Sequence, residues 1–222
     1  EAAECTATDA APLANLGGVM SPEMQMPKLM WLKRHRPELY AQIGYAGDLG
    51  DWLGFKCAGS FERSVCMLAC KWTFDPRPGH GWDHDFLGQI GMQDVLERAR
   101  LPDQALSVGV ALGQLTAEAA DDLGLTTRCT FAVGMIDAYA GALGTLGRSL
   151  ADAPERRLAV IGGTSTCHIG AQPLRQEVPG VWGPYPGALC DGFVANEGGQ
   201  SITGALLDHL VAMFAAGSEF GE

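Results

Sequence analysis

Residues 132–144 read Ala-Val-Gly-Met-Ile-Asp-Ala-Tyr-Ala-Gly-Ala-Leu-Gly: an apolar run ends on one acid, and a helix of small residues begins there. Asp137 stands at that junction, where a substrate hydroxyl can reach it. A carboxylate that takes the hydroxyl proton speeds attack on phosphorus. The same placement suits an acid that caps a helix. The two readings are compatible, and the spacing leaves both open. Downstream, the apolar run Leu158–Ile161 ends in Gly162-Gly163-Thr164-Ser165-Thr166. Glycines permit a turn whose N–H groups converge on an anion, and the hydroxyls add donors. A plain hairpin turn uses similar residues, and no Gly-Lys-Ser/Thr follows to make this a Walker loop. A carboxylate followed by a turn of this type is the layout of a small-molecule kinase.

Two further stretches could serve the same chemistry. Glu197-Gly198-Gly199-Gln200-Ser201 places an acid before a glycine pair, with a helix expected from Ser201 to about Phe214. Glu197 reads either as part of a Ser-capped turn or as a group that grips a polyol hydroxyl. In Arg63–Trp72, Lys71 beside Trp72 is suited to a sugar hydroxyl or to phosphate charge, and equally to a snorkelling surface position. His35, His80, His84, His168 and His209 share no metal-ligand spacing, so no metal site is expected from side chains alone.

The elements that must position these groups follow from periodicity and breakers. Pro27 sits in the first turn of a helix reaching His35, and Pro37 starts another. Asp48–Leu53 and Met92–Arg100 have helical spacing. Thr116 and Gly124 bracket a helix over 117–123. Strands are expected over 107–113, 129–135, 158–163, 165–170 and 190–195, with a helix over 138–146. Alternating strands and helices give an α/β class with a mixed sheet. Arg148–Arg157, with Pro154 and mixed charge, is the expected domain boundary, dividing 1–150 from 151–222.

Composition sets outer limits. In 222 residues, 47% are hydrophobic and 18% charged, which specifies a packed globule. The net charge of −11 argues against a nucleic-acid partner. Seven cysteines without a Cys-x-x-Cys pair read as buried free thiols in a reducing cytoplasm. Cys66 and Cys70, four apart, fit one helix face as well as a metal edge. No run of 18 apolar residues suggests a membrane span, and the acidic start lacks a signal-peptide pattern.

Six pieces in order resemble the FGGY family of carbohydrate kinases over roughly Met20 to Leu210. They are Met26–Leu32, Arg63–Cys66 with Cys70-Lys71-Trp72, Ile136–Gly141, Gly163–His168, Val178–Tyr185 and Glu197–Ser201. The Trp-Gly-Pro-Tyr and Glu-Gly-Gly-Gln-Ser pieces are similar to the ribulokinase-like branch. The resemblance implies an actin-like (ribonuclease H-like) ATPase fold, with parts of two domains flanking a cleft. It implies ATP with Mg²⁺, and a pentulose such as D-ribulose or a related polyol as acceptor. Xylulose, glycerol or erythritol kinases of the same family, or a sugar-binding remnant without turnover, are the alternatives. By the same resemblance Asp137 is the catalytic base, Gly163, Thr164 and Ser165 form the turn on the terminal phosphates, and Lys71 and Glu197 contact sugar. A homodimer is left open. Family members are over twice as long and open with an Asp-x-Gly-Thr-type turn that is not found here. The chain therefore reads as an internal fragment, with 215–222 an arbitrary end.

Overall fold

The computed structural model describes residues 1–214. The front part is mostly helical: α1 (Ala2–Ala7), a 3₁₀ turn (Ala11–Leu16), α2 (Gln25–His35), α3 (Pro37–Tyr40), α4 (Leu49–Ala58), α5 (Val65–Lys71), α6 (His84–Gln89) and α7 (Val95–Arg98). A small antiparallel pair follows, β1 (Ala111–Gln114) and β2 (Thr130–Ala132), with α8 (Ala117–Leu123) between them. After α9 (Asp137–Leu146) and two 3₁₀ turns (Gly147–Ala151, Pro154–Arg156) come β3 (Ala159–Gly162), β4 (Thr166–Gln172), β5 (Trp182–Pro186), β6 (Val194–Gln200) and α10 (Gly204–Met213).

Local chemistry explains the elements that matter most. α5 starts at Ser64, whose hydroxyl accepts the Cys66 N–H at 3.2 Å. All six residues from Val65 to Cys70 are buried, so this short helix is held by packing on all sides and not by propensity. Thr116 caps α8 through the Ala119 N–H, and left-handed Gly124 ends it, as the sequence predicts. One continuous core links Met24, Met30, Leu68 and Trp72 of the front part to Tyr139, Ile169 and Tyr185 further on.

Strands β3–β6 form one sheet in the order β3-β4-β6-β5. All strand pairs among the described residues are antiparallel, which corrects the mixed sheet expected above. The connections explain this: β3–β4 and β5–β6 are joined by segments too short for a parallel crossover. In this register Ile169 lies opposite Glu197 and Cys167 opposite Gly199, so Cys167, Ile169 and Glu197 share one face. α9 packs against β3 and β4, and α5 against β5.

Other boundaries shift for identifiable reasons. The strands expected over 107–113 and 129–135 shorten to β1 and β2, since 107–110 form a turn and 133–136 run irregularly into α9. The strand expected over 190–195 lies at 194–200, so Glu197–Gln200 is strand and not turn, and α10 begins at Gly204, not Ser201. β5 is unheralded because Gly183 and Pro184 read as breakers; it forms the sheet edge, where proline is tolerated. The helix expected over 92–100 contracts to Val95–Arg98. All seven cysteines are free, but only Cys5, Cys66 and Cys70 are buried and Cys129 is exposed. The reading of residues 215–222 lies outside the described residues.

Candidate active site

Lys71 ends α5, and its orientation is set from behind. The neighbouring Trp72 indole N–H donates to Asp48 Oδ2 at 2.6 Å, while Asp48 Oδ1 accepts from Gln25 at 2.6 Å. The Lys71 ammonium then lies 5.8 Å from the Trp182 ring centroid. Trp182 is the cross-strand partner of Glu197, and antiparallel partners place their side chains on the same face. Lys71, Trp182, Glu197, Thr164, Ser165, Thr166 and Cys167 line one groove of about 410 Å³, with Ser21 and Glu23 also on its surface.

Glu197 is only 6% exposed. Cys70, Tyr139 and Tyr185 lie near it; burial holds the protons on all three, the interactions with Cys66 (for Cys70) and Cys70 (for the two tyrosines) come next, and the negative charge of Glu197 adds a smaller push. The carboxylate therefore has a dry wall on one side and the groove on the other, so its strongest interactions are with donors arriving from the groove. Burial pushes the Cys167 thiol up to about 11, and the negative charge of Glu197 adds to the shift. Lys71 opposes it, and the charge of Asp137 contributes a smaller push.

Asp137 is the first residue of α9, with Ile136 in the cap position, so the helix-cap reading is corrected by one residue. The carboxylate is exposed, and Oδ1 accepts the adjacent Ala138 N–H at 2.8 Å. Asp137 is not among the residues that line the groove, although its charge reaches Cys167, which is.

The Gly-Thr-Ser segment is the β3–β4 connection, so the hairpin reading holds as geometry. The Gly163 N–H turns inward to the Ser165 carbonyl at 2.8 Å. The first N–H groups of α10 are taken by the turn: Thr203 N–H reaches Thr164 O at 2.9 Å and Gly204 N–H reaches Gly163 O at 3.1 Å. Gly204 must be glycine, because a Cβ there would run into the Gly163 carbonyl. Of the three predicted turn residues, Thr164 and Ser165 line the groove and Gly163 shapes the turn behind them. Thr166 also lines it, and its buried hydroxyl has no partner among the described residues.

The sequence reading missed the contributions of Trp182, Cys167 and Thr166, although each lies inside a piece already singled out. It also missed the Asp48–Trp72 contact. The signal there was weak: Asp48 and Asp51 three apart at a helix start. A second groove lies between the 3₁₀ turn at 11–16 and the loop at 75–83, but its guanidinium groups are already engaged, Arg77 by Asp75 and Arg175 by Glu177.

The architecture is an actin-like ATPase fold. The chain superposes on a xylulose kinase from Rhodospirillum rubrum with a TM-score of 0.72, at 21% identity, covering 97% of this chain and 43% of that one. A second xylulose kinase structure, from Brucella ovis, gives 0.75 at 23% identity, covering 96% and 42%. The chain belongs to the FGGY family of carbohydrate kinases: residues 8–144 match the N-terminal domain and 158–221 the C-terminal domain. Similar proteins include an FGGY carbohydrate kinase domain-containing protein of Danio rerio, 43% identical over 97% of this chain, and its human counterpart, 45% over 92%. A D-ribulokinase of Saccharomyces cerevisiae is 38% identical over 93% of this chain. The chain spans 42%, 39% and 33% of these three relatives. Among the described residues no helix is long and apolar enough to cross a membrane.

Proposed function

We propose that the protein of which these residues are part transfers the terminal phosphate of ATP to a hydroxyl of a pentulose resembling D-ribulose, with Asp137 as the base. One observation carries the reading. Lys71, Glu197 and the hydroxyl-bearing turn at 164–166, drawn from separate stretches of sequence, line a single groove, and the charge of Asp137 reaches Cys167 in its lining. Glu197 and Lys71 supply an acceptor and a donor for a polyhydroxylated chain, and both are braced from behind. Asp137 accepts the proton from the attacking hydroxyl. Thr164 and Ser165 place their hydroxyls opposite, on the terminal phosphates. The resemblance to a D-ribulokinase favours that sugar over xylulose, glycerol or erythritol.

Mg²⁺ accompanying the nucleotide would neutralise phosphate charge during transfer. No group of three His, Cys, Asp or Glu side chains that could hold a metal occurs among the described residues. The fit is with an ion held chiefly by phosphates and water, with Asp137 as the carboxylate at hand, as Mg²⁺ prefers. The free thiols agree with a reducing, cytoplasmic setting. The two family matches leave residues 145–157 between them, and within that stretch we place the domain boundary at Arg148–Arg157.

The test is ADP release by the full-length protein across a panel of pentuloses and polyols. D-ribulose should give the highest kcat/KM. A preference for glycerol or xylulose would move the substrate, and sugar binding without turnover on any member would remove the kinase reading. Thr164→Val should raise the KM for ATP by about tenfold, the scale of one lost hydrogen bond to a charged group, with less effect on the sugar KM. The reverse pattern would take the turn out of the nucleotide site.

A further inference from the structure

The hydroxyl and N–H of Ser64 together make three hydrogen bonds, although the residue is only 2% exposed. Its hydroxyl accepts the Cys66 N–H at the start of α5 and donates to the Gly134 carbonyl at 2.6 Å. Its own N–H donates to Asp51 Oδ1 at 2.9 Å. Gly134 lies three residues before Asp137, in the irregular segment that delivers the acid to the head of α9.

Asp51 is an odd residue to find beneath this contact. It is 6% exposed, and its second oxygen, Oδ2, has no partner among the described residues. A buried carboxylate half-satisfied in this way costs stability that an apolar side chain would not. Asp51 and Asp48 lie one turn apart at the start of α4. Asp51 fastens the front end of α5 through Ser64, and Asp48 fastens its back end through Trp72, next to Lys71. Both ends of α5 are thus pinned to one turn of α4. The helix between them, seven residues or ~10 Å long, becomes a fixed spacer between the segment carrying Asp137 and the side chain of Lys71.

We propose that Ser64 is a positioning residue for Asp137, acting through the Gly134 carbonyl and held in place by Asp51. The inference rests on the reading of Asp137 as the base. Without the Ser64 hydroxyl, the 133–136 segment loses its tie to α5 and the carboxylate drifts from the attacking oxygen. Lys71 keeps its own tie through Asp48, so sugar binding persists.

The experiment compares Ser64→Ala, Ser64→Gly and Ser64→Thr in the full-length protein. Glycine is nearly as good as serine as a helix cap but has no hydroxyl, so it separates capping from positioning. Ser64→Ala and Ser64→Gly should both lower kcat by roughly 10- to 100-fold, the scale set by an ångström of misplacement. Calorimetric sugar affinity should be unchanged, amide hydrogen exchange at 134–137 should rise, and Ser64→Thr should restore most of the turnover. Full kcat in Ser64→Gly alongside a slow Ser64→Ala would reduce Ser64 to a cap and overturn the proposal. So would unchanged exchange at 134–137 in both variants. Should Asp137→Asn itself prove active, the base assignment fails separately, and the exchange measurement still decides whether Ser64 holds the segment.

Discussion

Asp137→Asn should lower kcat by about 10³-fold, the midrange for loss of a general base, while leaving sugar affinity close to normal. The substitution is unusually clean in this fold. The Ala138 N–H bonds to Oδ1, an atom that asparagine retains, so the head of α9 keeps its local contact. The carboxylate is exposed, so no packing changes. The charge lost at the helix start is worth at most about 1 kcal/mol, too little to unfold a helix packed on β3 and β4. On the proposed mechanism, what disappears is the proton acceptor and the negative charge at the attacking oxygen. Rapid-quench turnover beside calorimetric sugar binding measures both sides. Near-normal turnover would show that another group takes the proton.

The parts of this site that could be read from the sequence are those in which one residue type announces its own environment. Asp137 after an apolar run and before small residues placed the helix start within one residue, while the strand before it ends three residues earlier than expected. The Gly-Thr-Ser segment was legible as a turn for the same reason. Glu197 was placed in a turn because two glycines follow it. In the structure those glycines are strand residues opposite Cys167 and His168, where a small side chain leaves space at the groove. Local propensity lost to sheet pairing. β5 was invisible because Gly183 and Pro184 look like punctuation, yet an edge strand tolerates both. The supports were beyond reach for a different reason. Asp51, Ser64 and Gly134 are linked by side-chain to backbone bonds across 13 and 70 residues, and no periodicity encodes such pairings. Only the oddity of acids at an otherwise apolar helix start hinted at them.

That oddity extends to Arg63, whose replacement carries the largest expected effect on stability. Arg63→Met should destabilise the protein by about 3–5 kcal/mol at neutral pH, the range for breaking one side of a buried charge arrangement. The guanidinium is 1% exposed and donates to the Tyr45 hydroxyl and to the Ala46 and Ala99 carbonyls, the latter two at 2.9 Å. Methionine fills similar volume but strands those acceptors. It also removes the positive charge that faces Asp51. Burial pushes Asp51 up to about 6, against the Ser64 N–H and Arg63, which lower it, while Asp48 raises it further; the Tyr45 hydroxyl on the same network stays neutral in this range. A native carboxyl that holds its proton more tightly than the unfolded chain, where the pKa is about 3.9, makes stability fall as pH rises through that window. In the wild type the fall should be complete a little above pH 6. Without Arg63 the Asp51 carboxyl moves higher still, so the fall continues toward neutrality and the gap between variant and wild type widens with pH. Urea unfolding at pH 4.5 and 7.5 reads this directly. The double variant Arg63→Met with Asp51→Asn should lose the pH dependence and recover part of the stability. A gap that does not change with pH would mean that Asp51 is not the charge Arg63 compensates.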